Sequence, residues 1–330
     1  MRSINWGGDS CQWYKGIKEG QDLSTSTSPS PYRRPFTGWL VDHFSEPSGV
    51  LRCLNKRSTA KSPVADGGPM LEARELTKRY NGIPAVDRVT FSIQPGEVLG
   101  YLGPNGSGKS TTVKMLTALL DPTVGHIYFN GQDIRTNLIE YRKRLGYVPE
   151  EPLLYPYLTG REYLQLVGRL RSMPQRVLDW KIEELLNLFG LGRFRHAAIS
   201  SYSKGMKQKV LISAALLHNP DVLIFDEPLS GLDVSSVLVF RNLLKSLARE
   251  GKTVLYSSHI LEEMEKVCSS VVILHQGRMV ANDRVERLCD LMKLPSLEEI
   301  FRQLAIQEDT ERIAADIIEV MKTQRVKRGW

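Results

Sequence analysis

Gly103-Pro104-Asn105-Gly106-Ser107-Gly108-Lys109-Ser110 fills every position of the pattern G-x-x-x-x-G-K-S/T. The apolar run Val98-Leu99-Gly100-Tyr101-Leu102 before it reads as a buried strand, and Thr111 to Leu120 after it reads as a helix. A polyphosphate needs many donors close together. Glycines let a short backbone curl so that successive N–H groups point inward, and a helix N-terminus adds the positive end of its dipole. In that setting Lys109 reaches the β- and γ-phosphates and the Ser110 hydroxyl is a ligand for Mg²⁺, with Thr111 beside it. The loop alone specifies a nucleotide and leaves kinase, GTPase, motor and pump open.

A second strong stretch, Val222-Leu223-Ile224-Phe225-Asp226-Glu227, lies about 117 residues after Lys109. A fully apolar strand delivers Asp226 to its carboxyl end, where open α/β sheets bind their ligands. Asp226 is a candidate for the metal and Glu227 for the general base that polarises an attacking water. Ser257-Ser258-His259 closes another apolar strand, Thr253–Ser257, and places a histidine where a γ-phosphate could be contacted. Ser201-Tyr202-Ser203-Lys204-Gly205-Met206-Lys207-Gln208-Lys209 opens a helix, with the Ser203 hydroxyl as its cap.

The order of elements from Met70 is strand, strand, phosphate loop, helix, two short strands at His126–Asn130 and Gly146–Val148, and then a change of character. Leu158 to Leu170, Val177 to Phe189 and Lys204 to His218 carry helical spacing before strand 222–225 restores the α/β pattern. The fold class predicted is an α/β P-loop core with a parallel sheet. It carries an N-terminal antiparallel β-subdomain, with strand 71–76 read as an edge strand, and an inserted helical subdomain over about 151–220.

Residues 1–69 are of different composition, with Ser/Thr/Pro-rich and Pro/Gly-rich stretches, and read as a disordered tail or an over-extended reading frame ahead of Met70. They carry nine Lys/Arg against six Asp/Glu, part of a net charge of +7. Such mild basicity is weak support for nucleic acid, and none is expected as a partner. Residues 305–330 read as a C-terminal helix and a basic tail ending in Lys322, Arg325, Lys327 and Arg328. Four cysteines without C-x-x-C spacing fit reduced thiols, and no apolar run approaches the roughly 18 residues of a membrane span.

Together these motifs over residues 70–304 resemble the nucleotide-binding subunit of an ABC transporter, of the bacterial drug, sodium or lipid exporter type. In that resemblance 103–110 is the Walker A loop, Leu223–Glu227 the Walker B strand with the catalytic glutamate, Ser230-Gly231-Leu232-Asp233 the D-loop, and His259 the switch histidine. Tyr202–Met206 is similar to the signature motif, and Tyr80 sits where the family stacks an aromatic on adenine; a buried tyrosine beside a turn is the other reading. The family's usual signature is Leu-Ser-Gly-Gly-Gln, so Tyr202, Lys204 and Met206 depart from it while Ser203 and Gly205 keep it. Its usual glutamine after Gly-Tyr-x-Pro is here Glu150. The resemblance implies a head-to-tail dimer, reasonably of two identical ATPase subunits, holding two ATP with Mg²⁺. The loop of one subunit faces Ser203 and Gly205 of the other, Asp233 of the D-loop is a further nucleotide-binding residue, and Glu150 joins Ser110 and Asp226 near the metal. It also implies a separate transmembrane permease and a peripheral position on the cytoplasmic face of the membrane. A soluble ribosome- or DNA-directed ATPase, a P-loop kinase and a degenerate regulatory subunit are the competing readings. The first two lack their expected second cassette, coiled coil or acceptor site, and the third is opposed by Glu227, Lys109 and His259 all being present.

Overall fold

The computed structural model describes residues 68, 70–259, 261–293, 296–305 and 310–322, and among these it has ten strands, ten α-helices and two short 3-10 helices. The readings of the N-terminal tail and of the basic residues from 323 onward lie outside the described residues.

The N-terminal sheet is antiparallel. Strands β1 (Leu71–Tyr80) and β2 (Ile83–Ile93) form a hairpin closed by Asn81 and Gly82, both at positive φ, as a two-residue turn matched to strand twist demands. Strand β4 (Val124–Phe129) pairs with the other side of β1, and the two-residue β5 (Gln132–Asp133) follows it. The strand order is β2-β1-β4-β5, so β1 is an interior strand and not the predicted edge. Simple alternation fails at Glu75, which takes φ 50° in a bulge, so that Leu76 and Thr77 are both buried in succession. A period-two reading stops there; the strand itself runs on to Tyr80.

The main sheet has the order β10-β9-β3-β8-β7-β6. Its parallel strands are β3 (Val98–Leu102), β6 (Leu145–Val148), β7 (Val222–Asp226), β8 (Thr253–Ser257) and β9 (Ser270–His275), with β10 (Arg278–Arg284) antiparallel at the edge. Every residue of β3, β7 and β8 is buried, as a parallel sheet covered on both faces requires. Strand β10 alternates exposed and half-buried and is too polar to be seen by apolar pattern. Helix α1 (Lys109–Leu116) follows the phosphate loop directly, two residues earlier than its apolar spacing suggests. Helix α2 (Leu138–Arg144) buries Tyr141 alone, whose hydroxyl donates to the Leu116 carbonyl at 2.6 Å, and one buried residue leaves no period to read.

Between β6 and β7 lie α3 (Gly160–Leu170), α4 (Gln175–Leu188) and α5 (Lys204–Leu216). Helix α3 starts in a capping box: the Glu162 amide donates to Thr159 Oγ1 at 3.1 Å, and the Thr159 amide donates to Glu162 Oε2 at 2.8 Å. Leu164, Leu178, Ile182, Leu186 and Val210 close one apolar cluster among these helices. Leu211, Ile212 and Ala215 on α5 pack instead with the main sheet, beside α6 (Val234–Arg249), whose Phe240 meets Phe225 edge-on at 5.1 Å. An aromatic pair of that kind adds about 0.5–1.5 kcal/mol beyond the area it buries. The C-terminal elements are α7 (Leu261–Glu265), α8 (Val285–Met292), α9 (Leu297–Ala305) and α10 (Thr310–Lys322).

Arg171, at the end of α3, ties the helical segment to the main sheet by donating to the carbonyls of Arg142 and Leu145 at 2.6 and 3.2 Å. His218 lies 2.9 Å from it. Burial, then the Arg171 charge, and less strongly Lys181 and Lys252, depress His218 to about 4, against the partial support of the Leu145 carbonyl. The folded chain therefore holds this histidine neutral while the unfolded chain protonates it near its ordinary value of 6.5. Stability contributed above pH 6.5 is lost progressively as pH falls toward 4. Denaturant unfolding at pH 7 and pH 4.5 tests this. His218→Gln is expected to remove roughly 1–3 kcal/mol of the acid-induced loss; equal losses in the two proteins refute it.

Candidate functional site

Residues 103–110 run from the end of β3 to the first turn of α1. Gly108 has φ 101° and stands against β2: a Cβ there would meet the Ala85 carbonyl oxygen at 2.5 Å. The loop is braced from behind as well. Gly277, in the turn of the β9–β10 hairpin, donates to the Ser107 carbonyl at 3.0 Å and accepts from the Asp87 amide at 2.8 Å. One turn thus ties the phosphate loop to both sheets. Lys109 is buried, and its ammonium donates to the Gly103 carbonyl at 2.6 Å and to the Pro104 carbonyl at 3.2 Å. Burial lowers its pKa, and Glu227, Asp226 and Glu150 act against that. The first N–H groups of α1 have no partner within the helix, so the amides of Lys109, Ser110 and Thr111 face whatever enters the loop.

A cleft of about 310 Å³ opens over these amides. Its lining brings together Asn105, Gly106, Gly108, Lys109, Ser110, Thr111, Glu150, Asp226 and Glu227, residues from three separate parts of the sequence. Ala85 of β2 also lines it, and sequence reasoning missed it, since a small strand residue carries no chemical signal. Asp226 ends β7 and is buried; the Ser257 hydroxyl donates to it. Burial raises the Asp226 pKa, the Ser257 hydrogen bond opposes this, and Glu150 and Glu227 raise it further. Glu227 takes φ 48°, a left-handed conformation unusual for a residue with a side chain. That turn swings its carboxylate back to 2.9 Å from His259 Nδ1. A backbone bond from the Glu227 amide to the Ser257 carbonyl, at 3.1 Å, holds it there.

Ser110, Asp226 and Glu150 offer only oxygen donors, the set that suits Mg²⁺. No group of three or more His, Cys, Asp or Glu converges into a metal cage among the described residues.

The other sequence candidates stand outside this cleft. Gly103, Pro104 and Ser107 form the back of the loop. A Cβ on Gly103 would strike Ser107 Oγ at 2.3 Å, and the Ser107 amide donates to the Pro104 carbonyl at 3.2 Å. Tyr80 is 48% exposed at the β1–β2 turn, with the Lys78 ammonium 5.8 Å from its ring, so the reading of a buried tyrosine is wrong. Ser203 caps α5, its hydroxyl accepting from the Met206 amide at 3.2 Å. Asp233 caps α6 by accepting from the Ser236 amide at 2.9 Å, with the Ser235 and Ser236 hydroxyls and Lys209 also on its carboxylate. Those hydrogen bonds, Ser235 first, hold Asp233 far below the usual carboxylate range. Tyr202 is buried in the helical cluster and donates to the Phe194 carbonyl at 2.6 Å. Gly205 packs against the loop before α6: a Cβ there would lie 2.3 Å from the Gly231 carbonyl oxygen.

The chain is similar to known proteins of one family. The ABC transporter family matches residues 86–230. The chain is 38% identical to the ABC transporter ATP-binding protein NatA of Bacillus subtilis, over 69% of this chain and 94% of that protein. A solved ATP-binding subunit of an ABC transporter is 34% identical with a TM-score of 0.68, covering 71% of this chain and 99% of that one. A second, an ATP-binding cassette in a dimeric post-hydrolysis state bound to ADP and Pi, is 28% identical with a TM-score of 0.61, covering 65% of this chain and 98% of that one.

The tightness at Gly205 has a measurable cost. Gly205→Ala drives a methyl into the Gly231 carbonyl, and a loss of roughly 2 kcal/mol or more of folding stability is expected in denaturant unfolding. An unchanged midpoint would show that the two segments separate freely.

Proposed function

This chain belongs to the family of ABC transporter ATP-binding proteins and is an ATPase with a P-loop α/β fold, and from that premise we propose that it drives export of a substrate through a separate membrane permease. The observation that carries the catalytic part is the placement of Lys109, Asp226 and Glu227 in one cleft, with His259 on the Glu227 carboxylate. The phosphates of ATP seat on the loop amides and on Lys109, which exchanges the carbonyls of Gly103 and Pro104 for the β- and γ-phosphates. Glu227 accepts the proton of the water that attacks the γ-phosphorus, as ADP leaves from the opposite side. His259 orients that carboxylate. Mg²⁺, when bound at Ser110, Asp226 and Glu150, neutralises charge on the phosphate oxygens.

The chain holds only half of such a site, since Ser203, Gly205 and Asp233 lie outside the cleft. The dimeric cassette among its structural relatives supports pairing of two copies, the signature segment of each completing the cleft of the other. Binding of ATP then favours the closed pair and hydrolysis releases it. Among the described residues no helix is long and apolar enough to cross a membrane, which fits a subunit peripheral to a permease. Directly after Glu150, Leu153 is 80% and Tyr157 92% exposed, with Tyr155 between them also exposed. Such an apolar group marks a docking surface, and here it adjoins the cleft whose closure has to be passed on.

Glu227→Gln is expected to bind ATP, pair, and hydrolyse at least about 100-fold more slowly, as read by phosphate release and light scattering. Wild-type turnover would remove Glu227 from the role of base. Lys109→Ala is expected to weaken nucleotide affinity by about tenfold or more; unchanged affinity in a titration would refute the seating given above. Co-purification of a membrane protein with this chain, followed by transport assays on it, tests the export reading.

A further inference from the structure

The cleft sets three carboxylates, Glu150, Asp226 and Glu227, against one ammonium, Lys109, and it must receive a polyphosphate. Glu150 is exposed and, among the described residues, has no ion-pair partner. A neutral glutamine, usual in the family at this place, would not carry that charge. The signature segment has the opposite excess. Of its three departures from the usual pattern, Tyr202 is buried and Met206 packs in the helical cluster, so the helical core accounts for both. Lys204 is different. It is exposed, it is the first residue of α5 beside the capping Ser203, and no ion pair holds it among the described residues. Its aliphatic stem lies along Gly231, where a Cβ would meet Lys204 Cγ at 3.0 Å. That contact steadies a side chain which otherwise sweeps freely, and it lowers the entropy lost when the ammonium is engaged.

We propose that Lys204 acts in trans as a charge partner: in the pair of copies, Lys204 of one chain meets Glu150 in the cleft of the other. The proposal rests on the two-copy reading given above. Within one chain Ser203 and Lys204 lie outside the cleft lining, so Lys204 adds its charge to a cleft only when two copies close, beside whatever charge a bound Mg²⁺ supplies. Closure with nucleotide then depends on a cation that this chain carries where the usual signature has a glycine.

The test uses the full chain with Glu227→Gln, which holds ATP without turnover, and reads the fraction of dimer by light scattering across a titration of Mg²⁺-ATP. Lys204→Ala is expected to raise the ATP concentration for half-dimerisation about five- to tenfold, and Lys204→Arg to keep it within about twofold. With Glu150→Gln added, the effect of Lys204→Ala is expected to shrink to within about twofold, because the charge it meets is gone. An unchanged titration with Lys204→Ala, or the same rise with Glu150 and with Gln at that position, overturns the proposal. Affinity of dilute monomer for a fluorescent ATP analogue is expected to be the same with Lys204→Ala; a parallel loss places the lysine at its own chain's cleft and also overturns it. If the parent stays monomeric at saturating ATP, the two-copy reading itself fails, an outcome distinct from a dimer indifferent to Lys204.

Discussion

The site depends first on a buried ammonium. Lys109 is placed on the first turn of α1, and its ammonium donates to the carbonyls of Gly103 and Pro104. A charge taken out of water and left unpaired would cost several kcal/mol. The loop therefore curls around its own lysine, and the curl is what turns the amides of α1 outward. The groups that would hold phosphate are arranged in advance by a hydrogen bond that phosphate can replace. The brace from Gly277 and the close approach of Gly108 to Ala85 keep the curl from relaxing.

Helix α5 supplies the second organising contact. One side of it closes the helical cluster through Val210 and Ala214, and the other packs on the main sheet through Leu211, Ile212 and Ala215. A helix buried on both sides shows no clear stripe, and its single exposed end is where Ser203 and Lys204 sit. The chemistry of this segment is carried at its N-terminus while its body is fixed in two cores. Any tilt of the helical segment against the sheet is accordingly expressed at that end.

Much of this was legible from the residues. The phosphate loop, the apolar strand ending in Asp226-Glu227 and strand Thr253–Ser257 were all read at their observed places, because each combines a fully apolar run with an abrupt polar stop. The elements that were missed or shortened lack such a run. Strand β10 is polar because it is an edge, α2 buries one tyrosine, and β1 hides its true length behind the bulge at Glu75. At the site, the left-handed backbone of Glu227 and its contact with His259 had no sequence signal, since nothing in the side-chain chemistry of a glutamate announces a positive φ. Tyr80 is singled out by the family resemblance alone, and the structure shows it exposed beside the β1–β2 turn.

One close contact has a mechanical meaning. Gly205 touches the Gly231 carbonyl with no room for a methyl group, and the Ser230 amide next to it donates to the Glu227 carbonyl at 3.3 Å. From the segment that would meet a second subunit's nucleotide to the backbone of the glutamate in its own cleft, the chain of contacts is four residues long. In engineering terms the linkage has no backlash. A displacement too small to open a gap at Gly205 is already a displacement of the backbone beside Glu227 in the same chain.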